Sequence, residues 1–183
     1  MFGNKNYPVY ALDEVCTKIT DGEHGTVKRV ESGRMYLMAR NISTENMLDL
    51  SELSFISEES HKKIYSRCNP EKGDVLLVCV GATIGKLAIV PEMEEFSLAR
   101  SVALIKPKKD LLNGLFLLQQ MKSAEFQQQI QDSIHTAAQG GLYTGNIKRL
   151  QVIVPPLDEQ INYTRMVEQS DKSKFVCQEA SNR

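Results

Sequence analysis

The hexapeptide Gly81-Ala82-Thr83-Ile84-Gly85-Lys86 follows directly on the apolar run Val75-Leu76-Leu77-Val78-Cys79-Val80. A buried strand that empties into a glycine-rich turn ending in lysine brings backbone N–H groups and a cation to one exposed point. That is how a protein holds a phosphate. A nucleotide P-loop has a longer spacer between its glycines and a Ser or Thr after the lysine, to wrap the phosphates and hold magnesium. Here only Ala82, Thr83 and Ile84 intervene, and Leu87 follows the lysine. The nucleotide reading fails; a DNA backbone is the other candidate, which the turn alone does not decide. Lys86, with the N–H groups around Thr83 and Gly85, is the expected phosphate clamp. The competing reading is a plain turn between two strands, with Lys86 solvated.

A second glycine loop, Asp21-Gly22-Glu23-His24-Gly25-Thr26, has turn chemistry and exposed polar groups. Asp21, His24 and Thr26 there, with Gln139, Tyr143 and Thr144 around the late Gly140-Gly141 pair, supply the mixed donors and acceptors that reading bases requires. Glycines beside both sets let the backbone approach a ligand closely. Arg40 and Arg100 each stand at an end of a predicted strand, and an arginine fork pairs bidentately with guanine in the major groove. Lys18 and Lys148 are expected as supporting phosphate contacts, which position rather than specify. Two structural alternatives stand beside these roles. Arg40 could pair with Asp74 or Glu71 in a salt bridge, and His24 could serve its turn alone.

These groups need a scaffold, and the hydrophobic pattern predicts one. The runs 7–10, 35–39, 53–57, 75–80, 86–90, 102–105 and 151–154 read as strands. The 75–80 and 86–90 runs make a hairpin with the glycine-lysine turn at its tip. Asp13 is expected to cap a brief helical turn, and Ser57 a helix over 58–65 with Ile64 and Tyr65 facing inward. Asn113 caps a helix through Met121, with Leu111, Leu115, Leu118 and Met121 at helical spacing. A further helix starts near Ser123, with Phe126, Ile130 and Ile134 on one face. Many short strands with little helix between them predict a mostly antiparallel sheet or barrel. The fold class is therefore α+β: a β-rich mixed globule with helices packed on it, followed by a C-terminal helix.

Composition narrows the function classes. A 42% hydrophobic and 25% charged chain is that of a soluble globular protein, and no apolar run approaches the roughly 20 residues that span a bilayer. The start, Met1-Phe2-Gly3-Asn4-Lys5-Asn6, has no apolar signal core, so a cytoplasmic location is expected. Cys16, Cys68, Cys79 and Cys177 are scattered, with no C-x-x-C pair; buried free thiols are expected rather than a zinc site. The net charge of −1 conceals a segregation. Glu45, Asp49, Glu52, Glu58 and Glu59 form an acidic block, while basic residues gather before it, after it and at Lys148-Arg149. Such a divided surface can bind a polyanion on one side; a solvated mixed-charge surface is the bland alternative.

Enzyme readings find no support. There is no G-x-S-x-G elbow, no H-E-x-x-H and no dinucleotide fingerprint. Val154-Pro155-Pro156-Leu157 lacks the preceding Asn or Asp and the following aromatic that would hold a flipped base. No cofactor and no metal are expected.

Several segments, taken together, carry a resemblance. They are Val15-x-x-Lys18-Ile19-x-Asp21-Gly22-x-His24-Gly25-Thr26, Tyr36-Leu37-x-Ala39-Arg40-Asn41-Ile42, Lys72-Gly73-Asp74-Val75-Leu76 with Gly81 to Lys86, Ser97-Leu98-Ala99-Arg100-Ser101, and Val154-Pro155-Pro156-Leu157-x-Glu159-Gln160. In order and spacing the chain resembles the specificity (S) subunit of type I restriction-modification enzymes over nearly its whole length. The resemblance implies a target recognition domain over 1–156 that reads half of a bipartite double-stranded DNA sequence. It implies that residues 157–183 begin a spacer helix, and that methyltransferase (M) and restriction (R) subunits are the partners that supply catalysis. A full S subunit carries two such units and this chain has room for one. It is similar to a half subunit, which could pair through its tail helix with a second copy or another half. The alternative is an assembly or orphan interaction module of the same fold that does not read DNA by itself.

Overall fold

The computed structural model describes residues 6–135 and 141–181, with the backbone alone over 171–181. The centre is a four-stranded antiparallel sheet in the order β2 (Cys16–Asp21), β8 (Val102–Pro107), β5 (Val75–Val78), β6 (Leu87–Ile89). Successive side chains of a strand point to opposite faces, and both faces of this sheet are covered. Val75 and Leu77 of β5, with Ala103 and Ile105 of β8, join a core built from α3 (Gly114–Met121) and α4 (Ala124–His135). Leu76, Val78, Val102 and Leu104 point the other way, into a second core. That is why β5 is an unbroken apolar run: a strand buried on both faces has no polar side to show.

The second core is closed by a three-stranded sheet, β4 (Phe55–Ile56), β3 (Arg34–Leu37), β7 (Ser97–Leu98). Leu37 and Leu98 face the central sheet, whereas Tyr36 and Ile56 face outward and are covered by Ile64 of α2 (Glu58–Tyr65). The strands are mostly antiparallel, as expected, with β3–β7 the one parallel pairing between named strands among the described residues, and they divide into three sheets rather than one. A two-stranded ribbon of β1 (Val9–Ala11) and β9 (Gln151–Ile153) completes the strands among the described residues. The α+β class and the C-terminal helix are as expected.

Local chemistry sets the helix starts. Ser57 Oγ accepts from Ser60 N at the head of α2, and Asn113 Oδ1 accepts from Phe116 N at the head of α3, each satisfying a donor the helix cannot. At α1 (Leu12–Val15) the expected Asp13 cap is replaced. Glu14 reaches back to accept from Ala11 N at 2.7 Å, and Asp13 lies inside the helix. The apolar stripe of α3 is Phe116, Leu117, Leu118 and Met121; Leu111 precedes the helix and is exposed.

Helix α6 (Leu157–Ser181) starts straight after Pro155-Pro156. Its first turns are locked to the globule by Gln160, which is fully buried. The Gln160 amide accepts from Asn113 N and donates to the carbonyls of Leu111 and Pro155. Tyr163 packs edge-on against Phe116, ring centroids 5.7 Å apart. Burial pushes the thiols of Cys16 and Cys79 up to about 12 and that of Cys68 up to about 11. These three are free, buried thiols, as expected, and the Cys177 side chain lies outside the described residues. Among the described residues no helix is long and apolar enough to cross a membrane.

Candidate nucleic-acid interface

The antiparallel register brings four chain ends to one edge of the central sheet. Asp21 pairs with Ala103, Val78 with Val102, and Leu77 with Leu87. The loop leaving β2, the turn between β5 and β6, and the segment entering β8 therefore emerge side by side. A relay of backbone bonds ties further segments to the same place. Glu23 N donates to Leu98 O at 2.8 Å and Arg100 N to Glu23 O at 3.0 Å. Ala99 N donates to Leu37 O, Cys79 N to Ser101 O, and Leu142 N to Cys79 O, each at 2.9 Å. Ala39 N donates to Ser101 Oγ at 3.1 Å. Segments 21–24, 39–41, 79–86, 99–101 and 141–143 thus form one loop cluster, although they are far apart in the chain.

Arg100 sits in the turn between β7 and β8, with its backbone held on both sides: its N–H on Glu23 and its carbonyl accepting from Cys79 Sγ at 3.4 Å. Its side chain is exposed and has no ion-pair partner among the described residues. Arg40 is exposed on a 3₁₀ turn (Ala39–Asn41) rather than at a strand end. Its Nη2 donates to Ser54 Oγ at 2.8 Å. The expected alternative of a salt bridge to Asp74 or Glu71 is overturned, because those carboxylates belong to Lys106, at 2.6 and 3.3 Å, at the far end of the sheet.

The glycine-lysine turn is the tip of the β5–β6 hairpin, as expected, with Thr83 exposed. Two of its N–H groups are taken within the hairpin. Gly85 N donates to Val78 O at 3.0 Å and Lys86 N to Thr83 O at 3.2 Å. Gly81 and Gly85 take φ values of 109° and 97°, the left-handed side that glycine tolerates. The Lys86 ammonium has no ion-pair partner among the described residues.

In the first glycine loop, Asp21 Oδ2 and His24 Nε2 pair at 2.5 Å, so these two groups already engage each other. Thr26 is exposed just beyond. Tyr143 is 47% exposed and Thr144 opens the short α5 (Thr144–Ile147). Gln139 lies outside the described residues. Lys18 and Lys148 are not part of the cluster. They flank a separate hollow with Asp13 and Thr17 nearer the start of β2. There Lys18 Nζ donates to Arg67 O and Asn69 Oδ1, tethering the 67–69 loop, while Lys148 is exposed.

Sequence reasoning missed Arg67. Its guanidinium donates to Thr20 Oγ1, Asp21 O and Gly22 O, the last at 2.6 Å, and it braces the first glycine loop from beneath. No local signal marks it, since its partners lie more than forty positions away. Among the described residues no three His, Cys, Asp or Glu side chains gather as a metal site.

A family model described as the type I restriction modification DNA specificity domain matches residues 4–177. The chain is 34% identical over 122 residues to the type I restriction enzyme EcoBI specificity subunit of Escherichia coli, covering 67% of this chain and 25% of that protein. The HsdS subunit from Thermoanaerobacter tengcongensis has the same fold, with a TM-score of 0.63 at 15% identity over 95% of this chain and 39% of that one. The S subunit from M. genitalium superposes with a TM-score of 0.64, also at 15% identity, over 94% of this chain and 40% of the other. The chain thus spans about a quarter of the curated relative's length and about two fifths of these solved chains. With a match across nearly its whole length, it belongs to the family of type I restriction-modification DNA specificity domains.

Proposed function

We propose that this chain is one target recognition domain, reading half of a bipartite duplex sequence and bringing methyltransferase and restriction subunits to it. The observation that carries this reading is the loop cluster at one edge of the central sheet. It collects Arg40, Arg100 and Lys86, cations without ion-pair partners among the described residues, beside exposed Thr26, Thr83 and Tyr143. Arg40 and Arg100 read base edges, and Lys86 positions the backbone. Residues 1–156 form the reading unit. The helix from Leu157 is the spacer on which the partner subunits dock, and through it a second copy or another half pairs with this one. The chain is a non-catalytic, cytoplasmic component that needs no cofactor of its own.

Equilibrium binding of the full chain to mixed-sequence duplex across a salt series tests the reading. The log of affinity falls linearly with log salt as counterions leave the DNA. Lys86→Ala weakens binding to every sequence alike and flattens the slope by about 0.9, one phosphate's worth. A wild-type affinity indifferent to salt contradicts the proposal.

A further inference from the structure

Gln127 of α4 links two parts of the molecule that are remote in sequence. Its Nε2 donates to Met121 O at 2.8 Å, at the end of α3, and to Gly85 O at 3.3 Å, in the hairpin turn. The next residue after each acceptor is a lysine, Lys122 and Lys86. One amide therefore fixes the chain points from which both cations leave, and the two line one open hollow with Thr44 and Asn46 on its other wall. The approach depends on Gly85 lacking a side chain, since a Cβ there would stand 2.8 Å from Gln127 Oε1.

The electrostatics of this hollow are unbalanced. Neither Lys86 nor Lys122 has an ion-pair partner among the described residues. Glu45 lies close enough for Lys86 to favour its ionised form, but Lys86 is the least of its stabilising contacts. The bond from Thr44 Oγ1, at 2.7 Å, is the greatest, and with a bond from Ser43 it holds this carboxyl below its usual range. Two ammonium groups on one hollow repel each other, and an anion between them turns that repulsion into two attractions. With the N–H groups of Gly85 and Lys86 engaged, the charge for binding comes from the two lysine side chains.

We propose that Lys122 and Lys86 form a two-jawed seat for a single phosphate of the DNA backbone, with Gln127 holding the jaws in register. This rests on the DNA reading above and adds a residue, Lys122, on the helical layer rather than in the loop cluster. It places the duplex across both the sheet edge and the α3–α4 corner.

Salt-dependent duplex binding by the full chain, from about 50 to 200 mM, tests the seat. Lys122→Ala and Lys86→Ala are each expected to flatten the slope by about 0.9, and the double variant by no more than either single one, because one phosphate is served. Titration with inorganic phosphate alone is expected to give no saturable binding at millimolar concentration. An unchanged slope in Lys122→Ala with a loss in Lys86→Ala overturns the seat while leaving the DNA reading intact. Additive losses overturn it in favour of two separate phosphates, and an equal loss in Lys63→Ala, on exposed α2, overturns it as non-specific charge. Saturable inorganic phosphate binding that Lys122→Ala abolishes overturns the duplex as the source. A wild-type chain without salt dependence removes the reading and the seat together.

Discussion

Gly22→Ala is expected to lower the stability of the chain by about 3 kcal/mol and its melting temperature by about 10 °C. Gly22 has no left-handed backbone to protect; the requirement is space. An added Cβ would stand 2.2 Å from Leu98 O and 2.3 Å from Ala99 O, both backbone atoms that cannot turn aside. The same residue donates its N–H to Val102 O and accepts from Arg67 Nη2, so it joins β2, β7, β8 and the Arg67 brace. Prising this seam apart displaces Glu23 from Leu98 and Arg100 from Glu23, so duplex binding falls with stability. Gly25→Ala serves as the control, because its Cβ would meet only the movable Glu23 carboxylate, at 2.9 Å. Thermal unfolding followed by circular dichroism separates the two. Equal melting temperatures for wild type and Gly22→Ala would show that the close contact is not needed.

Asp74→Ala is expected to cost about 3 kcal/mol, for a different reason. Asp74 is 1% exposed and its Oδ2 holds Lys106 Nζ at 2.6 Å, at the end of the sheet opposite the loop cluster. Deleting the carboxylate leaves a nearly buried ammonium with Asn69 O at 2.9 Å and the Glu71 carboxylate at 3.3 Å. The intact pair is itself of modest net value. Burial pushes the Asp74 carboxyl above its ordinary 3.8 despite the pull of Lys106, and its Oδ1 has no hydrogen-bond partner. The sign of the pH dependence follows. A carboxyl with a raised pKa binds its proton more tightly folded than unfolded, so its contribution is most favourable below 3.8. It declines as pH rises through the interval up to the folded value. Urea unfolding across that interval should show wild type losing stability relative to Asp74→Asn as pH rises. The opposite trend would mean that Lys106 outweighs burial.

What could be read from the sequence was local. The Ser57 and Asn113 caps are set by a side chain and a backbone N–H three residues on, so both were legible. The β5–β6 hairpin was legible because an apolar run, a glycine turn and a second run are adjacent in the chain. The division into three sheets was not. Val75-Leu76-Leu77-Val78 is apolar at every position, and such a run does not tell which of its two buried faces meets helices and which meets strands. The parallel β3–β7 pairing depends on a connection of more than fifty residues. At the candidate site, residue types pointed to loops that the fold brings together, but not to their internal bonds. The glycines do not tell which N–H groups of the turn are taken; those of Gly85 and Lys86 are, by the carbonyls of Val78 and Thr83. Arg67 and Gln127 were invisible because each acts on backbone carbonyls remote in sequence.

On the proposed reading, the clustered loops at one end of the central strands select the DNA sequence. Mapping methylated bases in cells carrying the wild-type gene, an Arg100→Ala allele or an Arg40→Ala allele tests it most directly. A bipartite methylated motif is expected in the wild type. Each allele should relax one position within one half, a loss of roughly 1–3 kcal/mol of discrimination at that base. A motif identical in all three strains would contradict it.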